Sequence, residues 1–174
     1  GVRLVGSEMC IRDRSQSRIT AYWPDGSVKL TAHTADSKNG ETFEVIPVNE
    51  DVSSKKDMEP SLFVKEEEDA YIVDAGCVHA TVPKNKNVIL CDVTVDGRVQ
   101  VTDADLVLQL EERSVKDGVL IQKTVPYTGE IESVSIEEQG PVRVTFCLRG
   151  THVSHANDRR VLPFVIREII YLNS

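Results

Sequence analysis

The stretch RITAYWPDGSVKLTAHT, residues 18–34, decides the fold class of this chain. In its second half, apolar Val28, Leu30 and Ala32 alternate with polar neighbours, which is the two-residue period of a β-strand with one buried face. Pro-Asp-Gly at positions 24–26 combines a fixed φ with a residue that accepts positive φ, a composition typical of turns. The stretch therefore predicts a β-hairpin.

The same alternation recurs along the chain, most cleanly over residues 142–148. It changes phase near Ser133, which predicts a β-bulge there. Asp96-Gly97 predicts a tight hairpin turn. Turns recur roughly every 8–12 residues, a spacing typical of sandwiches and barrels. We therefore expect an all-β fold, a distorted barrel or sandwich of about ten to twelve short, mostly antiparallel strands.

The two ends of the chain differ in pattern. Residues 161–172 are apolar and β-branched on both faces, which predicts a central strand covered on both sides. Such a strand rarely ends a protein, so we expect the native chain to continue past Ser174. Residues 4–14 closely resemble one reading frame of a transposase-end adaptor used to prepare sequencing libraries. We expect residues 1–14 to be a non-native leader that packs against little, with a natural leader as the alternative.

Composition and charge exclude several classes of protein. The net charge is −8, so the chain lacks the basic excess that nucleic-acid binding needs. No apolar run approaches the roughly 18 residues that a helix needs to cross a bilayer. The cysteines form no CxxC pair, which argues against zinc and redox motifs and favours buried free thiols. They are Cys10, Cys77, Cys91 and Cys147.

Four blocks of sequence carry a family resemblance. Residues 22–29, followed by Thr31-Ala32-His33, resemble a signature hairpin of the exo-rhamnogalacturonan lyase group (polysaccharide lyase family 26) and its bacterial relatives. Further blocks at 74–84, 128–143 and 150–167 agree in order and spacing, so the resemblance runs from near Ser17 to the end. At position 30 this chain has Leu where relatives tend to carry Trp, which removes an aromatic surface but keeps an apolar residue.

The resemblance implies a domain organisation and an activity for the parent protein. Residues 15–174 are expected to form an N-terminal RIFT-barrel-like β domain, truncated at its C-terminus, that precedes an (α/α) toroid and further β domains. The parent enzyme is expected to cleave rhamnogalacturonan-type pectin by β-elimination, whereas this fragment alone is expected to be inactive. The alternative is a stand-alone carbohydrate-binding or adhesion β-module without enzymatic activity.

The resemblance also sets expectations for ligands and partners. We expect downstream domains of the same polypeptide as partners, acidic polysaccharide as a second candidate, and neither nucleic acid nor membrane. No cofactor is expected in this fragment, while a divalent cation is compatible with the parent enzyme. The sequence does not set the location, and a secreted or periplasmic parent is compatible with it. A supporting domain predicts a bare apolar patch where its neighbour docks, whereas a stand-alone module predicts closed strand edges and an aromatic platform.

Candidate substrate-binding residues fall in two places. The segment 143–167 is locally basic, and Arg149, His152 and Arg167 are candidates to bind a galacturonate carboxylate, which an arginine fork grips through two hydrogen bonds. The alternative is that these are solvated strand edges, with Arg167 paired to a carboxylate. His152 and the nearby His155 lack an acidic neighbour in sequence, so we predict no metal site.

The second place is the hairpin. Trp23 is a candidate to stack on a sugar ring, although a lone Trp beside such a turn is more often part of a core. Lys29 and His33 share one strand face, which is expected to meet substrate, solvent or another domain. Glu130 and Glu132 resemble the paired acids of a glycosidase, but in an acidic chain we interpret this as coincidence. No catalytic residue is predicted.

Overall fold

A computed structural model describes residues 2–6, 15–35, 43–47 and 62–172, and all regular structure in these ranges is β-strand. Every pairing between strands is antiparallel. The described strands are β1 (Val2–Gly6), β2 (Ser15–Tyr22), β3 (Val28–Ala35), β4 (Phe43–Pro47), β5 (Phe63–Glu66), β6 (Ala70–Ala75), β7 (Val78–Pro83), β8 (Leu90–Val95), β9 (Arg98–Ala104), β10 (Val107–Lys116), β11 (Val119–Gln139), β12 (Arg143–Ser154) and β13 (Arg159–Tyr171). The all-β prediction is confirmed, although the last four strands are longer than expected.

Two meandering sheets enclose the main core. One has five strands in the order β5 to β9, and the other has four in the order β10 to β13. Val73 and Val82 from the first sheet pack with Val144, Phe146 and Leu148 of β12, and all five are fully buried. Alternation places these side chains on one face of each strand, so the periodicity of the sequence becomes the inner surface of a sandwich.

The position of the doubly covered strand corrects one expectation. Residues 161–172 were predicted to be central, but β13 is the edge of its sheet and pairs only with β12. Its outward Val165, Ile169 and Tyr171 are 44–49% exposed. The strand buried on both faces is β12, which lies between β11 and β13. Pro163 agrees with an edge position. Proline has no backbone N–H to donate, so in a sheet it is found mainly on edge strands.

Strand β11 runs without interruption from Val119 to Gln139. Its register with β12 shifts between Ile131 and Ser133, so the predicted bulge is confirmed, and shifts again between Ile136 and Glu138. Each bulge adds one residue to β11 without ending the ladder. The strand reaches 21 residues because it pairs with β10 over residues 119–128 and with β12 over residues 128–139.

Turns follow the predicted chemistry. Asp96 and Gly97 have φ of 50° and 72°, the two positive values of a type I′ turn between β8 and β9. In the β2–β3 hairpin, Trp23 N donates to Ser27 O at 2.8 Å, and the Asp25 carboxylate accepts from Ser27 N at 2.9 Å. Both predicted hairpins are confirmed.

The first strand departs from another expectation. Residues 1–14 were expected to pack against little, yet β1 pairs with β4 over five residues, from Val2 with Pro47 to Gly6 with Phe43. Two β-strand segments of suitable length can form such a ladder through backbone groups alone, whatever their origin. Residues 7–14, including Cys10, lie outside the described residues. Of the other cysteines, Cys91 and Cys147 are buried and free, as predicted, and Cys77 is half-buried and free.

Candidate functional site

His152 lies inside the protein. It is 9% exposed, its Nδ1 is 2.9 Å from the carbonyl oxygen of Leu162, and its ring meets the Phe164 ring edge-on at 5.1 Å. A carbonyl only accepts, so Nδ1 is the donor. The ring is therefore held as a packing element and does not join Arg149 on the exposed surface.

Arg167 on β13 is paired with a carboxylate of β11, which lies on the other side of β12 in the same sheet. Its Nε and Nη2 donate to the two carboxylate oxygens of Glu137 at 2.7 and 2.9 Å. These hydrogen bonds lower the pKa of Glu137 and raise the pKa of Arg167. The bidentate grip that was expected for a substrate carboxylate is thus occupied by a carboxylate of the protein itself.

Arg149 remains open. Its side chain is exposed, and it forms no ion pair within the described part of the chain. It lies between Ser133 on β11 and Val165 on β13. Its charge contributes to the lowered pKa of Glu137. Of the three candidates on these strands, Arg149 alone has a guanidinium without an ion-pair partner among the residues that the structure describes.

Glu130 and Glu132 do not form an open pair of acids. Arg160 binds both, with Nη2 at 2.7 Å from a Glu130 oxygen and Nη1 at 3.4 Å from a Glu132 oxygen. Thr151 Oγ1 also donates to Glu132 at 3.1 Å. The acids of β11 therefore neutralise much of the basic segment that the sequence contains.

The hairpin presents a second group of candidates. Trp23 is 50% exposed, so it is not a core residue, and Lys29 Nζ lies 4.2 Å from the centroid of its ring. His33 is half-buried, with Nδ1 2.7 Å from Ser17 Oγ and Nε2 2.8 Å from Thr31 Oγ1. Lys29 thus caps one face of the indole, and both nitrogens of His33 already have partners.

Sequence reasoning missed a polar cluster, buried or half-buried except for Arg18, which we call the polar junction (Gln16, Arg18, Glu138 and Arg143). Gln16 on β2 is 8% exposed; its Nε2 donates to Glu138 at 2.7 Å and its Oε1 accepts from the backbone N of Arg143 at 3.1 Å. Arg143 Nη2 donates to both oxygens of Glu138 at 3.0 and 3.1 Å. Arg18 approaches the same carboxylate at 3.4 Å. The junction joins the β2–β3 hairpin to the end of the β11–β12 pair.

Gly140 makes the close approach at the junction possible. A Cβ at this position would collide with the side chain of Gln16, whose amide is fixed by its two hydrogen bonds. The turn Gln139-Gly140-Pro141 is visible in the sequence, but its partner on β2 is not. The distance in sequence between Gln16 and Glu138 is 122 residues, and no local pattern reports it.

Among the described carboxyl groups, that of Glu168 shows the largest upward shift in pKa. It lies half-buried on β13 opposite Phe146, and its Oε2 is buried without a hydrogen-bond partner. Burial raises its pKa to about 7. Among the described residues, no group of three or more His, Cys, Asp or Glu side chains could hold a metal ion. The described ranges also contain no helix that could span a membrane.

Residues 62–174 match the family model of the PcRGLX-like protein central beta sandwich domain. The chain belongs to the PcRGLX-like family. Residues 7–48 match the PcRGLX-like N-terminal RIFT barrel domain, so the resemblance to the rhamnogalacturonan lyase group is confirmed. Sequence analysis predicts one barrel-like domain over 15–174, whereas the PcRGLX-like models assign the barrel to 7–48 and a sandwich to 62–174. The polar junction therefore joins two domains.

A curated relative extends the comparison. Over 159 residues the chain is 31% identical to the uncharacterized protein YetA of Bacillus subtilis (strain 168), which covers 90% of this chain. The chain spans 18% of the length of that relative. The PcRGLX-like chain is thus a β-rich portion related to rhamnogalacturonan lyase and similar to a small part of a much longer protein.

Proposed function

We propose that this chain is the non-catalytic β-rich part of a polysaccharide lyase that cleaves rhamnogalacturonan-type pectin by β-elimination. In this proposal it supports a catalytic (α/α) toroid elsewhere in the polypeptide and flanks the substrate cleft of that toroid. The observation that carries the proposal is that Arg143, Arg160 and Arg167 are all neutralised by carboxylates of β11. The family of the chain and its exposed apolar side chains support the same proposal.

The chemistry of the reaction supports placing the active site elsewhere. β-Elimination at galacturonate needs a base for the C5 proton, and fixed positive charge or a metal beside the developing enolate. His152 is buried and Arg167 is occupied by Glu137, so these candidates do not supply a base beside a free cation. We therefore assign the base, and any divalent cation that the reaction uses, to the remainder of the polypeptide.

Arg149 is the residue best suited to a flanking contact with acidic polysaccharide. It is exposed and lacks a carboxylate partner among the described residues. A guanidinium binds a uronate carboxylate through two parallel hydrogen bonds. Its surroundings are nearly neutral, because the neighbouring Arg167 is paired with Glu137. In this role Arg149 orients substrate and takes no part in the chemistry.

Cleavage of rhamnogalacturonan, followed by the ultraviolet absorbance of the unsaturated uronate product, tests the proposal. We expect no cleavage by the 174-residue chain and cleavage by the complete polypeptide. Arg149→Ala in the complete polypeptide should raise KM about threefold to tenfold with little change in kcat, since it removes a binding contact outside the reacting centre. Arg98→Ala, which removes an exposed arginine from β9 of the other sheet, is the matched control. Activity of the short chain, or a complete polypeptide that leaves this polysaccharide intact, would refute the proposal.

The alternative, a stand-alone carbohydrate-binding module, is favoured by one observation. Trp23 is half-exposed and has Lys29 over one face, a pairing that suits an acidic sugar stacked on the other face. Titration calorimetry of the 174-residue chain with galacturonate oligosaccharides tests it. Binding that is lost in Trp23→Ala would favour the module, and absence of binding would favour the supporting domain.

A further inference from the structure

Strands β10 and β11 continue beyond the sandwich as a two-stranded ribbon, which we call the β-arm (residues 111–124). Glu111 pairs with Thr124 at its base, and Asp117-Gly118 forms the turn at its tip. Strand β12 pairs with β11 only from Thr128 onward, so the β-arm has no third strand. Every residue of the β-arm is exposed.

Large apolar side chains are bare on both faces of the β-arm. Val115 and Leu120 face each other across the ribbon on one side, 72% and 59% exposed. Val119 and Ile121 lie on the other side, 64% and 43% exposed, on the face that carries buried Tyr127 closer to the sandwich. A lone two-stranded hairpin is marginally stable in water, and exposed apolar clusters mark interaction sites. Both faces are therefore suited to enclosure by another body.

The base of the β-arm is anchored to the sandwich. Arg159 Nη1 lies 3.5 Å from a Glu112 oxygen, which links the arm to the start of β13. Gly129 N donates to Leu106 O at 2.8 Å, which continues the β10–β11 pairing one residue beyond Val107 and Thr128, toward the sandwich. The arm thus leaves the body in a defined direction, as a docking element must if it is to avoid a large ordering cost on binding.

We propose that the β-arm inserts into an apolar cleft in the part of its own polypeptide that lies outside residues 1–174, and that it holds this part against the sandwich. This inference rests on the proposed function, in which the chain supports a separate catalytic domain. Two findings favour this occupant. The sandwich matches a domain described as central, and the chain spans 18% of its relative, so more than four fifths of that relative lies outside the match.

Cysteine accessibility tests the proposal. Leu120→Cys and Ile121→Cys report on the two faces of the β-arm, and Val99→Cys, 67% exposed on β9 of the other sheet, is the matched control. Each variant is made in the 174-residue chain and in the complete polypeptide, then labelled with a maleimide. Mass spectrometry of the digested protein separates the introduced thiols from Cys10 and Cys77.

We expect all three thiols to label rapidly in the 174-residue chain. In the complete polypeptide both arm thiols should label about tenfold more slowly, because they react only when the docked arm opens, while the control stays unchanged. Equal labelling of the arm in both proteins would overturn the proposal. Protection that depends on the concentration of the 174-residue chain would assign the arm to a second copy and would also overturn it.

A cleavage assay on the same preparations separates the two proposals. Cleavage of rhamnogalacturonan by a complete polypeptide whose β-arm labels freely would keep the proposed function and reject the docking. A protected β-arm in a polypeptide without lyase activity would do the reverse.

Discussion

Strands β12 and β13 are neighbours in one sheet, yet their environments are opposite. β12 carries Arg143, Thr145 and His152, and all three are buried. β13 is richer in apolar residues, but its outward Val165 and Ile169 are nearly half exposed. The difference is one of position, since β12 has a partner strand on each side and β13 has one. Strand order, more than hydrophobic content, decides which residues leave water.

Truncating a side chain in each of the two strands should give the largest difference in the free energy of unfolding. Phe146→Ala empties a fully buried site in the core cluster, so we expect it to lower the free energy of unfolding by about 3–5 kcal/mol. Val165→Ala on the outer face of β13 should cost about 0.5 kcal/mol or less. Urea unfolding measures both. Equal losses would mean that the outer face of β13 is covered in solution.

The buried arginine of β12 sharpens the comparison further. Glu138→Ala leaves Arg143 without its carboxylate at 6–7% exposure, and an unpaired buried charge costs about 3 kcal/mol. Arg18→Ala removes the more exposed partner of the same carboxylate and should cost under about 1 kcal/mol. Thermal unfolding at equal protein concentration measures the difference. If Glu138→Ala were as mild as Arg18→Ala, the junction would be open to water.

Glu168 on β13 gives a smaller effect than Phe146→Ala or Glu138→Ala, and this effect depends on pH. Because burial raises its folded pKa from 4.5 to about 7, the unfolded chain loses this proton first as pH rises, and the folded state carries a growing penalty between these values. Glu168→Gln should therefore match the wild type near pH 4 and exceed its stability above pH 7 by about 2 kcal/mol, allowing for partial solvent screening.

Glu137, the residue next to Glu138 of the polar junction, provides a control whose stability changes with pH in the opposite direction. Its pKa is lowered, first by its hydrogen bond to Arg167, so its contribution is present at neutral pH and is lost as pH falls through the folded pKa. Glu137→Gln should thus be less stable than the wild type at neutral pH and should approach it in acid. Denaturant titrations at several pH values test both variants, and parallel profiles for the two would contradict the assignment.

Local features of this fold could be predicted from the sequence. The β2–β3 hairpin, the Asp96-Gly97 turn and the bulge beside Ser133 each depend on a few adjacent residues, and each is present. The position of β13 could not be predicted from apolar content. A central strand covered on both faces and an edge strand with exposed apolar side chains have the same composition. Pro163 was the available sign of an edge.

The candidate site was less predictable, because partners are chosen by register. Arg167 meets Glu137 thirty residues away. Two bulges in β11 set this pairing, and only one of them is visible as a phase change. Exposure was equally hidden: Trp23 lies at the surface although such residues are more often buried, and His152 lies inside although its segment is polar.

The contact between Gly140 and Gln16 has a consequence for natural variation. The glycine belongs to the sandwich and the glutamine to the barrel, and any side chain at the first position must displace the second. A larger residue at 140 is therefore tolerable only with a shorter one at 16. Positions 140 and 16, which meet where the two domains touch, should therefore covary across homologues.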